Sequence, residues 1–327
     1  MATLNTYDKR TWNALSYAQT DPRMNLVQDM AFPPRQAPAE AGKFRETAEQ
    51  SFYKELDADR VSKYTVPQHY GKTDAFRYYK NDPISAGFSL SNADLSSPGE
   101  YGYNSVGEWI EDYRAWLTKL LKKHKEKALY TAVSDNTNFE GATYYANAAT
   151  AWSSTGTANT KDDIEAGRLI VEEVNAVCLS WKGLRYALQN QTFRASAYVA
   201  GPARDDLEVT PGLRALKDYW EVDYIFFSRA KLQTDSSDAT DTTRTEIWGD
   251  KVLLYYHNPN PTPLDPGWMR QLFWAPMGKG QASGGWFWTE DEDKRPGGVG
   301  VKLWDLWNYY QFLVQEKSLG YRIDNIY

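Results

Sequence analysis

Between residues 105 and 132, apolar side chains recur at Trp109, Ile110, Tyr113, Trp116, Leu117, Leu120 and Leu121, which is one face of a 3.6-residue repeat. Ser105-Val106-Gly107-Glu108 opens the run as a capping box, so the spacing predicts a long helix over 105–132. Acids gather at its start (Glu108, Glu111, Asp112) and bases at its end (Lys119, Lys122, Lys123, Lys125, Lys127), an order that complements the helix dipole. The lysines read as a solvated helix end, with a DNA-facing or partner-facing patch as the functional alternative. A different pattern stands at Val252–Tyr256, an unbroken apolar run of the kind found in a strand buried on both faces. It continues Glu246-Ile247-Trp248-Gly249-Asp250-Lys251, and Pro259, Pro261 and Pro263 then withhold ladder donors and end it.

Between these two landmarks the chain alternates helix and strand signals. Gly141–Thr160 is small and polar, a mobile or surface-lining loop. A helix capped by Asp162 or Asp163 follows and lines its apolar side with Ile164, Leu169, Ile170, Val171 and Val174 up to Asn175. Next come a strand at Ala176–Ser180, a helix at 181–193, a helix from Thr210-Pro211 to Trp220 and a short buried strand at Tyr224–Phe227. Asp235–Arg244 reads as a loop. Helix, strand, helix, helix, strand, loop, strand makes a compact α/β layer of about 90 residues.

The outer parts look different. Residues 1–45 read as an arm, with a turn at Thr20-Asp21-Pro22-Arg23 and a helix-hostile stretch at Phe32–Pro38. From Lys43 to Ser89 charged and aromatic residues alternate without a clean period, so this excursion is expected to lie on something else, such as a neighbouring copy. The aromatic tail from Val299 to Leu313 fits strand or helix, packed on the long helix.

A length of 327 residues suggests about two domains with a substantial core. The single cysteine, Cys178, sits among apolar residues as a small buried hydrophobe, which fits a reducing compartment. A net charge of −6 argues against a protein whose main work is gripping phosphates, and no stretch reads as a signal peptide or a membrane span. With 13 Trp and 23 Tyr the composition suits large protein interfaces or carbohydrate surfaces.

Candidate chemistry is sparse. His69, His124 and His257 show no metal-ligand spacing. Gly278-Lys279-Gly280-Gln281 lacks the frame of a phosphate loop. Glu290-Asp291-Glu292-Asp293, beside Lys294-Arg295-Pro296-Gly297-Gly298, reads as a solvated turn, with a clasp on a basic patch of the next copy as the functional alternative. No catalytic, cofactor-binding or metal residue is assigned, and the chain is read as a non-enzyme. The rival reading is a carbohydrate-binding or glycoside-cleaving protein, with Trp268, Trp274, Trp286 and Trp288 as sugar platforms and Asp265 and Glu290 as the acid pair.

One further set of motifs runs in order through residues 105–275. The capped helix ends near Asn138-Phe139, a loop carries Trp152 ahead of Asp163-Ile164-Glu165-Ala166, Val177–Asn190 runs from strand into an alanine-leucine helix, and Val222-Asp223 opens the strand that leads to Ala230. Ile247-Trp248-Gly249-Asp250-Lys251 then leads through the apolar strand to Pro261-Thr262-Pro263. Taken together these resemble the major capsid proteins of tailed bacteriophages, the shell family with the HK97-like (Johnson) fold. Asn175 stands alone where the family usually has a Pro-Asn turn, and the last 50 residues depart from its pattern, so a rearranged strand order stays open.

The resemblance implies an α+β fold with an N-terminal arm (1–45), an extended loop (46–90), a peripheral domain (91–170 and 259–327) built on a spine helix (105–132), and an axial α/β domain (171–258). It implies a structural protein of the virion, made in the host bacterial cytoplasm, that self-assembles into hexamers and pentamers of an icosahedral head enclosing double-stranded DNA. Its implied partners are copies of itself, cement, scaffolding and portal proteins, and weakly held DNA, with no membrane and no cofactor. Deleting residues 1–40 is then expected to leave soluble capsomers but no stable heads.

Overall fold

Residues 301–314 form the longest strand, β13 (Val301–Val314), and along it Trp304, Leu306, Asn308 and Tyr310 are buried while the residues between them are less so. That alternation is the mark of a strand with one face on a core, and it settles the tail as strand. The computed structural model describes residues 26–47, 74–171, 173–196, 209–233, 244–260, 267–275, 285–293 and 300–327. One edge of β13 pairs antiparallel with β4 (Asp82–Ser91) from Val301 to Tyr310. The other edge must therefore be shared end to end, by β12 (Phe287–Asp293) on 301–307 and β11 (Met269–Trp274) on 309–314. β1 (Pro34–Gln36) adds in parallel to β11 and brings the arm into this sheet.

The second sheet runs β5 (Tyr145–Asn147), β14 (Gly320–Asp324), β10 (Val252–Tyr255), β6 (Ala176–Ser180), β7 (Tyr224–Ser228). Every residue of β6 and β10 is buried, as the unbroken apolar run requires. Val177, Leu179, Val252 and Leu254 pack into one hydrophobic cluster, while Ala176, Cys178, Leu253 and Tyr255 pack into another. The first cluster is closed by the helices α4 (Thr160–Ile170), α5 (Trp181–Gln189), α6 (Gln191–Ser196) and α7 (Val209–Trp220). The expected helix 181–193 is broken at Asn190, whose amide accepts from Phe193 N and donates to Ala158 O, a local alternative to helix continuation. β7 is an edge strand and only Ser228 in it is fully covered, so its expected burial does not hold. Two ribbons complete the strands: β2 (Ala41–Thr47) with β3 (Asp74–Lys80), and β8 (Lys231–Gln233) with β9 (Arg244–Glu246).

The spine helix is α3 (Val106–Ser134), with α1 (Gln28–Ala31) and α2 (Asn92–Ser96) as short turns before it. Ser105 Oγ caps it by accepting Glu108 N, but the Glu108 carboxylate reaches one residue further back than a capping box does, to Asn104 N. Its C-terminal end is held by the buried Arg322 of β14, whose guanidinium donates to the carbonyls of Val133 (3.1 Å) and Ser134 (2.8 Å) and to Asn136 Oδ1 (2.6 Å). Carbonyls left over at a helix end thus receive the cation that the dipole favours, and the last strand is locked to the spine.

Three expectations are redrawn. The compact layer is not confined to 171–258, because β5 and β14 hydrogen-bond into its sheet and Ile326 is fully buried in its core. Of the excursion 46–90, residues 48–73 lie outside the described residues, and 82–90 belong to β4, paired along β13 rather than unsupported. Residues 26–37 of the arm carry core side chains, with Val27, Ala31, Phe32 and Ala37 buried within the same chain, so deletion of 1–40 removes core and not merely a strap.

Candidate functional site

The arm is fastened to the spine helix by a buried polar hub. Glu126, fully buried on α3, accepts from Val27 N (3.2 Å) and Gln28 N (3.0 Å) at the head of α1 and from Trp248 Nε1 (2.7 Å). Orphan donors at a helix start and an indole N–H suit a carboxylate. Burial nevertheless dominates and pushes the Glu126 carboxyl up to about 7. Lys125 beside it is equally buried; its ammonium lies 3.8 Å from Asp29 and over the rings of Trp286 and Tyr310. Gln271 on β11, with its amide oxygen turned to Lys125, donates to the carbonyls of Gln28 and Phe32. Lys122 is buried as well, and its own burial holds its ammonium below the usual range.

Two of the five spine lysines are therefore inside, against the expectation of a solvated cluster. The physical reason is the arm, which roofs this stretch of α3 and supplies Asp29. Next to the hub, Cys178 Sγ points at the Tyr255 hydroxyl, which donates to Ala31 O (3.2 Å) at the end of α1. Burial lifts the Cys178 thiol well above its ordinary range, in line with an inert side chain.

The outer surface carries the complement of this buried anchoring. Trp116 and Leu120, four residues apart on α3, are 57% and 42% exposed, and at the end of α4 Leu169 is 89% exposed with Ile170 at 38%. All four were expected on inward faces; Trp109, Leu117, Leu121, Leu129 and Val133 take the inward face of α3 instead. Gly141–Thr160, expected as a mobile or surface-lining loop, is pinned by Trp152, which is fully buried and donates from Nε1 to Asp163 Oδ2 (2.7 Å). Asp163 also accepts from Ala149 N, so this acid ties the loop rather than capping α4.

The candidates for chemistry do not converge. His69 and Gly278-Lys279-Gly280-Gln281 lie outside the described residues. His124 is exposed on α3, while His257 is buried beside Tyr224, Phe226 and Tyr255. Glu290–Asp293 is part of β12 and not a turn, because its backbone pairs with Val301–Trp304; Glu290 and Asp291 are exposed. The four tryptophans of the sugar-binding reading are not a platform. Trp268 and Trp286 are core residues, Trp274 stands edge-on to Tyr309, and Arg114 covers Trp288. Asp265 lies outside the described residues. Among the described residues no cluster of His, Cys, Asp or Glu could hold a metal ion, and no helix is long and apolar enough to cross a membrane.

In fold the whole chain is similar to a phage-related protein from Bordetella bronchiseptica RB50, with a TM-score of 0.67 at 13% identity over 97% of each chain. It is also similar to the virus-like particle from Pyrococcus furiosus (TM-score 0.53, 10% identity, 98% of this chain and 100% of that one). The capsid of the cyanophage P-SCSP1u matches with a TM-score of 0.50 at 10% identity over 99% and 92%. No protein-family model and no curated protein sequence matches the chain. At such identities the likeness is one of fold, and the fold is the α+β HK97-like capsid fold that the motifs pointed to.

Proposed function

We propose that this chain is the major capsid subunit of a tailed bacteriophage, assembling into hexamers and pentamers of a closed head around double-stranded DNA. What supports the reading above all is the likeness in fold to shell proteins over 98% and 99% of this chain. The exposed apolar residues fit it. Trp116, Leu120, Leu169 and Ile170 present surface that a lone subunit gains nothing by exposing, and burying one such side chain between copies contributes roughly 1.5–3 kcal/mol. The hub at Glu126 and Lys125 supplies the rigidity that a repeated contact needs, since it ties Val27, Gln28 and Asp29 to the spine helix. DNA would be held loosely, as the net charge of −6 suggests. Cement, scaffolding and portal proteins are the further partners of such a shell, and the virion is its location.

Negative-stain images of the purified full-length protein test this. Closed shells or six- and five-membered capsomers are expected. Open rings alone would indicate a portal or tail protein, and small particles that bind an oligosaccharide would restore the sugar-binding reading.

A further inference from the structure

The outer side of α3 carries one continuous stripe: Glu108 and Asp112 toward its start, Trp116 and Leu120 in the middle, Lys123 and Lys127 toward its end. At 3.6 residues per turn these six fall on one side of the helix, and all but the partly covered Lys123 are exposed. Trp116 is set edge-on to Tyr113, ring centroids 6.4 Å apart. Glu108 accepts from Asn104 N (2.9 Å) and Asp112 from the Tyr103 hydroxyl (3.0 Å), neutral donors that steady each carboxylate without cancelling its charge.

The helix dipole alone does not account for this stripe. Its effect is confined to the terminal turns, yet the last turn of α3 holds no base and Asp112 lies beyond the first turn. Glu108 with Asp112 and Lys123 with Lys127 are like-charge pairs at i,i+4, which weaken a helix on its own. The stripe is, however, complementary to itself when reversed. Measured from the midpoint between Trp116 and Leu120 at ~1.5 Å per residue, Asp112 stands about 9 Å to one side and Lys123 about 7.5 Å to the other. Glu108 and Lys127 stand about 15 Å and about 13.5 Å out in the same two directions. A second copy turned end for end therefore brings acid to base at both ends and apolar to apolar in the middle.

We propose that two copies of this chain pair their spine helices antiparallel about a two-fold axis that passes between Trp116 and Leu120. Each tryptophan then packs on the Leu120 side chain of the other copy, Asp112 faces Lys123, and Glu108 faces Lys127, every contact occurring twice as a two-fold axis requires. Burying Trp116 and Leu120 supplies the attraction. The charge pairs set direction, because a parallel pair would place acid on acid and base on base. The pairing deepens the shell reading and rests on it for the many equivalent copies that let a small contact count. It is a contact between neighbouring clusters rather than within one.

The test uses concentrated full-length protein. Asp112→Cys copies mixed with Lys123→Cys copies and mildly oxidised are expected to give a disulfide-linked dimer on a denaturing gel, while each variant alone gives none. Positions 112 and 123 of opposite copies differ by about 1.5 Å along the axis, whereas equal positions stand about 18 Å and about 15 Å apart, beyond disulfide reach. Cys178 is fully buried and adds no background. Added to both Cys variants, Glu108→Lys or Lys127→Glu alone is expected to slow linking about fivefold, and the two together to restore it. No dimer from the mixture, an equal dimer from Asp112→Cys alone, or charge reversals that fail to compensate would overturn the proposal. Shells seen by electron microscopy without the cross-link would sink the pairing and spare the shell reading. The cross-link in protein that forms no shells would do the reverse.

Discussion

Replacing Glu126 by Gln keeps the shape of the hub and removes its titration. In the folded subunit the carboxyl is raised from 4.5 to about 7, chiefly by burial and against the hydrogen bonds from Gln28, Val27 and Trp248. A raised carboxyl means that the folded state binds more protons than the unfolded one between those two values. Its contribution to stability is therefore complete below pH about 4.5 and is lost as pH rises through about 7. At ~1.4 kcal/mol per pH unit the loss amounts to about 3 kcal/mol. Lys122, Lys125 and Cys178 share the neighbourhood, so the variant serves as the reference that cancels their titrations. Denaturant unfolding of dilute subunit at a series of pH values from about 4.5 to about 8 should show wild type losing about 3 kcal/mol relative to Glu126→Gln over that span. Curves that stay parallel to within about 1 kcal/mol would mean that Glu126 is solvated or firmly ionised, and the account of the hub would be wrong.

Other expectations concern the arm, the spine and the outer surface. Deleting residues 1–25 should leave a subunit with native circular dichroism, whereas deleting 1–37, which removes Val27, Ala31, Phe32 and Ala37 from the core, should yield insoluble chain; equal solubility would contradict the anchored arm. Arg322→Met leaves the end of α3 and the Asp324 carboxylate without their guanidinium, and thermal unfolding should report a loss of about 3–5 kcal/mol, with an unchanged melting temperature as the contrary result. Leu169→Lys, at a site 89% exposed, should leave subunit stability within about 0.5 kcal/mol of wild type and yet reduce the assembled fraction in sedimentation velocity; unaltered assembly would remove Leu169 from any interface.

Where a single element must be buried by its own pattern, the chain could be read directly. β10 and β6 are sandwiched between two clusters, so their unbroken apolar runs had one solution, and α3 announced itself by period and cap. What could not be read depended on segments far away in sequence. Lys122 and Lys125 look like a solvated run until the arm, about a hundred residues earlier, is laid over them with Asp29. Glu290–Asp293 has the composition of a turn, but seven residues of β12 find a partner in β13, and backbone pairing outweighs weak local preference. Leu169 follows the apolar repeat of α4 and is nevertheless 89% exposed. The Trp152–Asp163 bond gives the loop motif of the resemblance a physical reason, since an indole donor buried with no acceptor would be costly.

The central claim, that this fold serves as one tile of a closed shell, is tested most directly by cryo-electron microscopy of particles formed by the purified full-length protein. The account predicts icosahedral shells in which six-fold and five-fold clusters bury Trp116, Leu120 or Leu169 between adjacent copies. Monodisperse monomer at high protein concentration, with those side chains still open to solvent, would contradict it.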